Sequence, residues 1–172
     1  DAGADDDNPS ITAPINTPDF VPPTVIGHPY IGFDYILITF NKPNMQGADL
    51  ESNYSFSPAL AFDSPGVYGE FYDVTHFGGA SYYLAMQSIP AYEIFTLTLT
   101  GITDINGNPV TPNVIIINDN DSDGMADDWE IFWFGSLDRV GTGDFDGDGL
   151  TDLGEFENDT DPSNPDTDGD GL

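Results

Sequence analysis

The chain has 172 residues, no cysteine, and 31 acidic residues against two basic ones, giving a formal net charge of −29. That balance excludes nucleic-acid binding, which needs Lys and Arg in number to meet phosphates, and it excludes docking on anionic membrane surfaces. Without thiols there are no disulfide staples and no cysteine chemistry, and no apolar run approaches the roughly 18 residues of a membrane-spanning helix, so no membrane insertion is expected.

Residues 1–23 read as an extended segment. They combine an acidic start (Asp1, Asp5, Asp6, Asp7) with five prolines, at 9, 14, 18, 22 and 23. Within them Ile11, Ala13 and Ile15 alternate as a strand with one buried face does, and Pro14 confines such a strand to a sheet edge. Three fates stay open: a loose linker, a strand of its own sheet, or a strand donated to a neighbour's sheet edge. The third is a head-to-tail contact that does not close, and it generates a fibre. No targeting peptide is visible, and the start on Asp1 fits a processed terminus or an artificial boundary.

Residues 24–118 predict an all-β domain. Tyr35–Phe40 sets Ile36, Ile38 and Phe40 on one face and Tyr35, Leu37 and Thr39 on the other. Further strands are expected over Tyr54–Phe56, Val67–Thr75 and Ser81–Met86, then over Glu93–Thr100, with Phe95, Leu97 and Leu99 on one face. Asn106-Gly107 marks a tight turn. Val114–Ile117 is wholly apolar and predicts a strand buried on both faces. About seven short strands in this length predict an immunoglobulin-like β-sandwich.

Residues 119–172 hold 18 of the 31 acids, and two stretches repeat one twelve-residue pattern. The first is Asp119–Glu130 (DNDSDGMADDWE) and the second Asp144–Glu155 (DFDGDGLTDLGE). Carboxylates stand at positions 1, 3, 5, 9 and 12: Asp119, Asp121, Asp123, Asp127 and Glu130, then Asp144, Asp146, Asp148, Asp152 and Glu155. Ca²⁺ is a hard cation taking six to eight oxygens, and this spacing wraps a loop around one ion. Gly124 and Gly149 at position 6 permit the sharp bend. Met125 and Leu150 at position 7 contribute a backbone carbonyl, and Glu130 and Glu155 close the cages. A third, partial copy begins at Asp166 with Asp168 and Asp170 in the next ligand positions; either a longer chain or a neighbouring molecule completes it. Loop starts are 25 and then 22 residues apart, a short repeat array. The residues before each loop do not read as helices, so only exiting helices are expected, from about 126 to 134 and from about 151 to 158. Self-repulsion keeps such a segment open without divalent ions. Sites of this ligand type fill where calcium is plentiful, which predicts an extracellular location.

Trp129, Phe132, Trp133 and Phe134 crowd the first exiting helix, where they either pack on the sandwich or form a contact surface. His28 and His76 have no ligand partner in sequence and read as ordinary strand or loop residues. Asn53, Asn120 and Asn158 fit the N-glycosylation pattern, and Asn53 is the best placed of them. No nucleophile elbow, phosphate loop or zinc spacing occurs, and no catalytic residue is assigned.

Two resemblances follow from these residues. ILITFNKP (36–43), ADLESNYSFSP (48–58) and LTLTGITDINGNPV (97–110) resemble the bacterial immunoglobulin-like domains of surface-layer and large secreted proteins. DSDGMADDWEIFWFG (121–135), GDFDGDGLTDLGEFENDTDP (143–162) and NPDTDGDGL (164–172) resemble bacterial thrombospondin type 3 calcium repeats, although the stretch 131–143 is longer and more aromatic than a minimal repeat. Together they imply a secreted bacterial protein with a rigid calcium-filled stalk and no catalysis. The expected role is a subunit of an extracellular or cell-surface filament or adhesin stalk. The alternative is a carbohydrate- or protein-binding module of a larger secreted enzyme. A dockerin, which pairs two such loops, is the special case; its usual basic residue after each loop is missing here.

Overall fold

The computed structural model describes residues 19–32, 34–71 and 80–167. These residues form seven strands: β1 (Tyr30–Ile31), β2 (Tyr35–Phe40), β3 (Tyr54–Ser57), β4 (Phe62–Phe71), β5 (Ala80–Met86), β6 (Phe95–Leu99) and β7 (Val114–Ile117). Two short helices follow, α1 (Asp127–Trp133) and α2 (Asp152–Asn158). The strands form two antiparallel sheets, ordered β1-β2-β5-β4 and β3-β6-β7. Lettered in chain order this is ABED against CFG, the strand order of the seven-stranded immunoglobulin sandwich. The fold is all-β with short helices at its C-terminal end.

Period-two patterning builds the core. Ile36, Ile38 and Phe40 of β2 and Phe95, Leu97 and Leu99 of β6 are buried, while the residues between them are only partly covered. These faces meet with Tyr82, Leu84 and Met86 of β5 and with Ile117 in one cluster. Each such side chain contributes about 1.5–3 kcal/mol of burial.

Two expectations change. The Val114–Ile117 run is not buried on both faces. Among the described residues it is the edge strand of its sheet, with Val114 and Ile116 48% and 44% exposed, Ile115 partly buried against the core and only Ile117 fully buried. Strand β4 begins at Phe62 rather than Val67, because Pro65-Gly66, a break on paper, lies within a register shift against β5. Residues 19–23 run along the sandwich as part of it: the Thr111 N–H donates to the Pro23 carbonyl at 2.9 Å, and Asn108 Nδ2 to the Asp19 carbonyl at 2.6 Å. Ile11, Ala13 and Ile15, the proposed donor strand, lie outside the described residues, as does His76.

Lys42 ties this end together. Its ammonium donates to Asp104 Oδ2 and Asp19 Oδ2, both at 2.7 Å, and to the Val21 carbonyl. Burial alone would push the Asp104 carboxyl up. Lys42 and the N–H donors of Asn108 and Asn106 outweigh it and hold the group well below the usual carboxylate range. Asp104 also accepts the Gly107 N–H through its carbonyl, and Gly107 takes φ +83°, so the expected Asn106-Gly107 turn is present. Asn53 is half-buried and donates through Nδ2 to the Gly47 carbonyl at 2.8 Å, so the nitrogen that would carry a sugar is engaged in the fold. The chain thus leaves the Lys42 end along β7 and delivers Asn118 and the acid loops to the opposite end.

Candidate metal centre

Each acid loop runs straight into a helix, as the sequence predicts: α1 begins at position 9 of the first loop and α2 at position 9 of the second. No helix precedes either loop. The first follows β7, and the second follows a turn at 141–142. Both position-6 glycines are left-handed, Gly124 at φ +94° and Gly149 at φ +100°. Position 4 is left-handed too, Ser122 at φ +64° and Gly147 at φ +82°. Sequence reasoning missed this second bend, although Gly147 signalled it.

The loops aim their acids by local hydrogen bonds. In the first, the Asp123 N–H donates to Asp119 Oδ1 at 3.1 Å and the Met125 N–H to Asp123 Oδ1 at 2.9 Å. In the second, Asp144 accepts the N–H groups of Gly147 (2.7 Å) and Gly149 (3.1 Å). Leu150 donates to Asp148 Oδ1 at 2.6 Å. Among the described residues, carboxylate oxygens converge within 4.8 Å in three groups: Asp119, Asp121 and Asp123; Asp121, Asp127 and Glu130; and Asp144, Asp146 and Asp148.

Glu130 is fully buried, and neither of its carboxylate oxygens has a hydrogen-bond partner. Asp123 Oδ2, Asp146 Oδ2 and Glu155 Oε2 are also buried and unpartnered. A buried ionised carboxylate without a partner is strongly disfavoured, so such a group either stays protonated or meets a cation. Burial, then the neighbouring Asp123, Asp121, Asp127 and Asp119, pushes Glu130 up to about 8. Burial, then Asp146, Asp148, Asp152 and Asp144, pushes Glu155 up to about 7. Burial also raises Asp123 and Asp127. An all-oxygen donor set with no nitrogen or sulfur suits a hard divalent cation, so these acid groups fit a metal ion.

Not every expected ligand is free to serve. Asp152, at position 9 of the second loop, is buried, and both its oxygens are bound elsewhere. Oδ2 accepts Arg139 Nε at 2.7 Å and Oδ1 accepts the Phe145 N–H at 2.9 Å. Its counterpart Asp127 accepts only the Asn120 N–H, at 2.8 Å, through Oδ1. Met125 is buried, whereas Leu150 is 36% exposed. Of the third loop, Asp166 joins none of the acid groups among the described residues, and Asp168 and Asp170 lie outside them.

Residues outside the carboxylate set hold the site in place. Met125, Ala126 and Trp129 form a second buried cluster, with Ile94 of the sandwich and Leu153 and Phe156 of α2 packed against it. The Trp129 ring lies 5.3 Å from Phe156 and 5.5 Å from Phe134, edge to face. Asn118, buried, donates through Nδ2 to the Glu93 carbonyl (3.0 Å) and to Asp128 Oδ1 (2.6 Å), and Asp128 Oδ2 accepts the Tyr92 N–H at 3.0 Å. The aromatic stretch therefore divides. Trp129 packs inward, while Phe132 is 64% exposed and lies against Tyr92. Beside it a groove of about 730 Å³ runs between sandwich and first loop, lined by His28, Ile31, Ile89, Asp127, Asp128 and Ile131.

No protein-family model matches the chain, and no curated protein matches it. Among solved structures it is similar to the S-layer protein rSbsC at 15% identity and a TM-score of 0.40, over 56% of this chain and 13% of that one. A likeness of this degree carries no argument. Among the described residues no helix is long and apolar enough to cross a membrane.

Proposed function

We propose that this protein is a secreted, calcium-stabilised structural subunit of an extracellular or cell-surface filament or adhesin stalk, with thrombospondin type 3-like loops and no catalytic role. The observation that carries the reading is Glu130: a buried carboxylate with two unpartnered oxygens, surrounded by other carboxylates. Calcium satisfies those oxygens and offsets the repulsion, and it is plentiful outside the cell. Both basic residues are already committed to internal acids, Lys42 to Asp104 and Arg139 to Asp152, so neither neutralises the cages.

Two features favour head-to-tail assembly. Residues 19–23 and the acid loops occupy opposite ends of the sandwich. Among the described residues strand β7 has one unpaired edge, with Val114 and Ile116 exposed beside it. Residues 11–15 of a neighbour would extend that sheet. If the N–H groups of Ile11, Ala13 and Ile15 face β7, Pro14 falls on the outer edge, where a missing N–H costs nothing. Negative-stain microscopy tests this: native protein forms fibres, and deletion of residues 1–18 abolishes them. Fibres that survive the deletion remove strand donation.

The exposed Phe132 and Tyr92 beside the groove favour a second reading, a carbohydrate- or protein-binding module. A glycan array that loses its signal on Phe132→Ala supports that reading instead.

A further inference from the structure

We propose that Arg139 makes the two cages unequal: it removes Asp152 from the second ligand set, leaving the first loop as the retained calcium site and the second as the exchangeable one. The inference rests on the calcium reading above and concerns how that calcium is divided.

Arg139 is the only cation in residues 119–172. Its Nε and Nη2 both lie 2.7 Å from Asp152 Oδ2. The guanidinium lies against two rings, 5.0 Å from the centroid of Phe134, at the end of α1, and 4.9 Å from that of Phe145, position 2 of the second loop. The rings are 5.3 Å apart, edge to face. The approach is tight: a Cβ on Gly143 would collide with Asp152 Oδ2 and come within 2.9 Å of Arg139 Nη2. This is a built ion pair between the segment that connects the loops, which carries Arg139, and the first residue of α2, Asp152.

The consequence follows from the charge each ligand set retains. In the first loop Asp127 remains grouped with Asp121 and Glu130, and its only described hydrogen bond is to one oxygen. In the second loop the converging group is Asp144, Asp146 and Asp148, which are more exposed than the first set. Asp152 does not join that group: its charge is already compensated by Arg139 at Oδ2, and that fixed positive charge stands behind it. Calcium affinity in such loops follows the number and charge of the ligands. The independent sign that cations belong here is the pair of closing glutamates, Glu130 and Glu155, each with a buried oxygen lacking a partner.

The test is calorimetric titration of the full chain with calcium, alongside melting in calcium and in chelator. Wild type is expected to show two events whose dissociation constants differ by about tenfold or more. Glu130→Gln removes the tight event and Glu155→Gln the weak one. Arg139→Gln frees Asp152, so the weak event tightens by about threefold or more while the tight one stays. Asp152→Asn keeps the side chain's shape and guards against misfolding of the arginine variant. It leaves the weak event within about twofold, whereas Asp127→Asn weakens the tight event by about tenfold. Two equal sites in wild type overturn the proposal and leave the calcium reading standing. So does a weak site that does not tighten in Arg139→Gln, or one lost in Asp152→Asn. No calcium heat and no chelator-sensitive melt overturns the calcium reading itself.

Discussion

The first and second acid loops carry the same carboxylates at the same five positions and differ in what stands between them. Position 11 is Trp129 in one and Gly154 in the other; position 10 is Asp128 in one and Leu153 in the other. Those choices decide which way each loop leans. Trp129 anchors the first loop into a cluster that includes Ile94 of the sandwich, and Asp128 binds Asn118 and the Tyr92 N–H. Among the described residues the second loop shows no such bond to the β domain. It leans on the first through Leu153 and Phe156, and on Arg139. Cage residues thus specify the ion, and the residues facing away from the cage specify the neighbour.

The largest way to break this asymmetry is Trp129→Ala. Emptying that cluster should cost about 3–5 kcal/mol in thermal or chemical unfolding. It should also separate the transition of the loop unit from that of the sandwich. A single unchanged transition would show that the loops do not depend on the sandwich.

Next come the closing glutamates. Glu130→Gln should abolish calcium stabilisation at the first site, about 2.7 kcal/mol when calcium is 100-fold above its dissociation constant. Glu155→Gln should cost about 1 kcal/mol under the same calcium, because the second site is less saturated. In chelator near neutral pH Glu130→Gln should change little, since the wild-type group, raised to about 8, is mostly protonated there. Equal losses at both sites would erase the distinction.

The pH profile sharpens it further. Folding raises Glu130 from 4.5 to about 8 and Glu155 from 4.5 to about 7. A carboxyl raised by folding stabilises fully below its unfolded value, and that contribution is lost as pH climbs through the folded value. In chelator the protein should therefore melt highest near about pH 5 and lose stability towards pH 8, with Glu130→Gln flattening the upper part of the fall. In calcium the order should reverse, because the ion needs both groups ionised. A rising profile in chelator would contradict the buried, unpaired state of Glu130.

The last comparison concerns position 4. Gly147→Ala should cost about 1–2 kcal/mol, from its left-handed φ of +82° alone, since nothing lies within 4 Å of an added Cβ. Ser122→Gly, at the matching bend, should be close to neutral or gain about 0.5 kcal/mol, as relief of strain and loss of chain entropy oppose each other. Chemical denaturation of the two variants reads this directly.

Much of this molecule is local, and so it was legible in the sequence. The alternation of Ile36, Ile38 and Phe40, the Asn106-Gly107 turn and the two acid loops with their exiting helices rest on interactions a few residues apart. Side-chain period, left-handed glycine and carboxylate spacing are properties of short segments, and folding leaves them in place. What needed the tertiary structure was every relation across distance. Val114–Ile117 is apolar whether central or at an edge, and only the sheet order β3-β6-β7 makes it an edge. Asp152 fits a ligand position by spacing, and only the approach of Arg139, thirteen residues away, turns it into an ion-pair partner. Glu130 is one acid among 31 in the sequence. Its isolation inside the fold, with both oxygens unpartnered, depends on the packing of Met125, Ala126 and Trp129 around the first loop, and burial is a property of the whole fold that no residue's own identity contains.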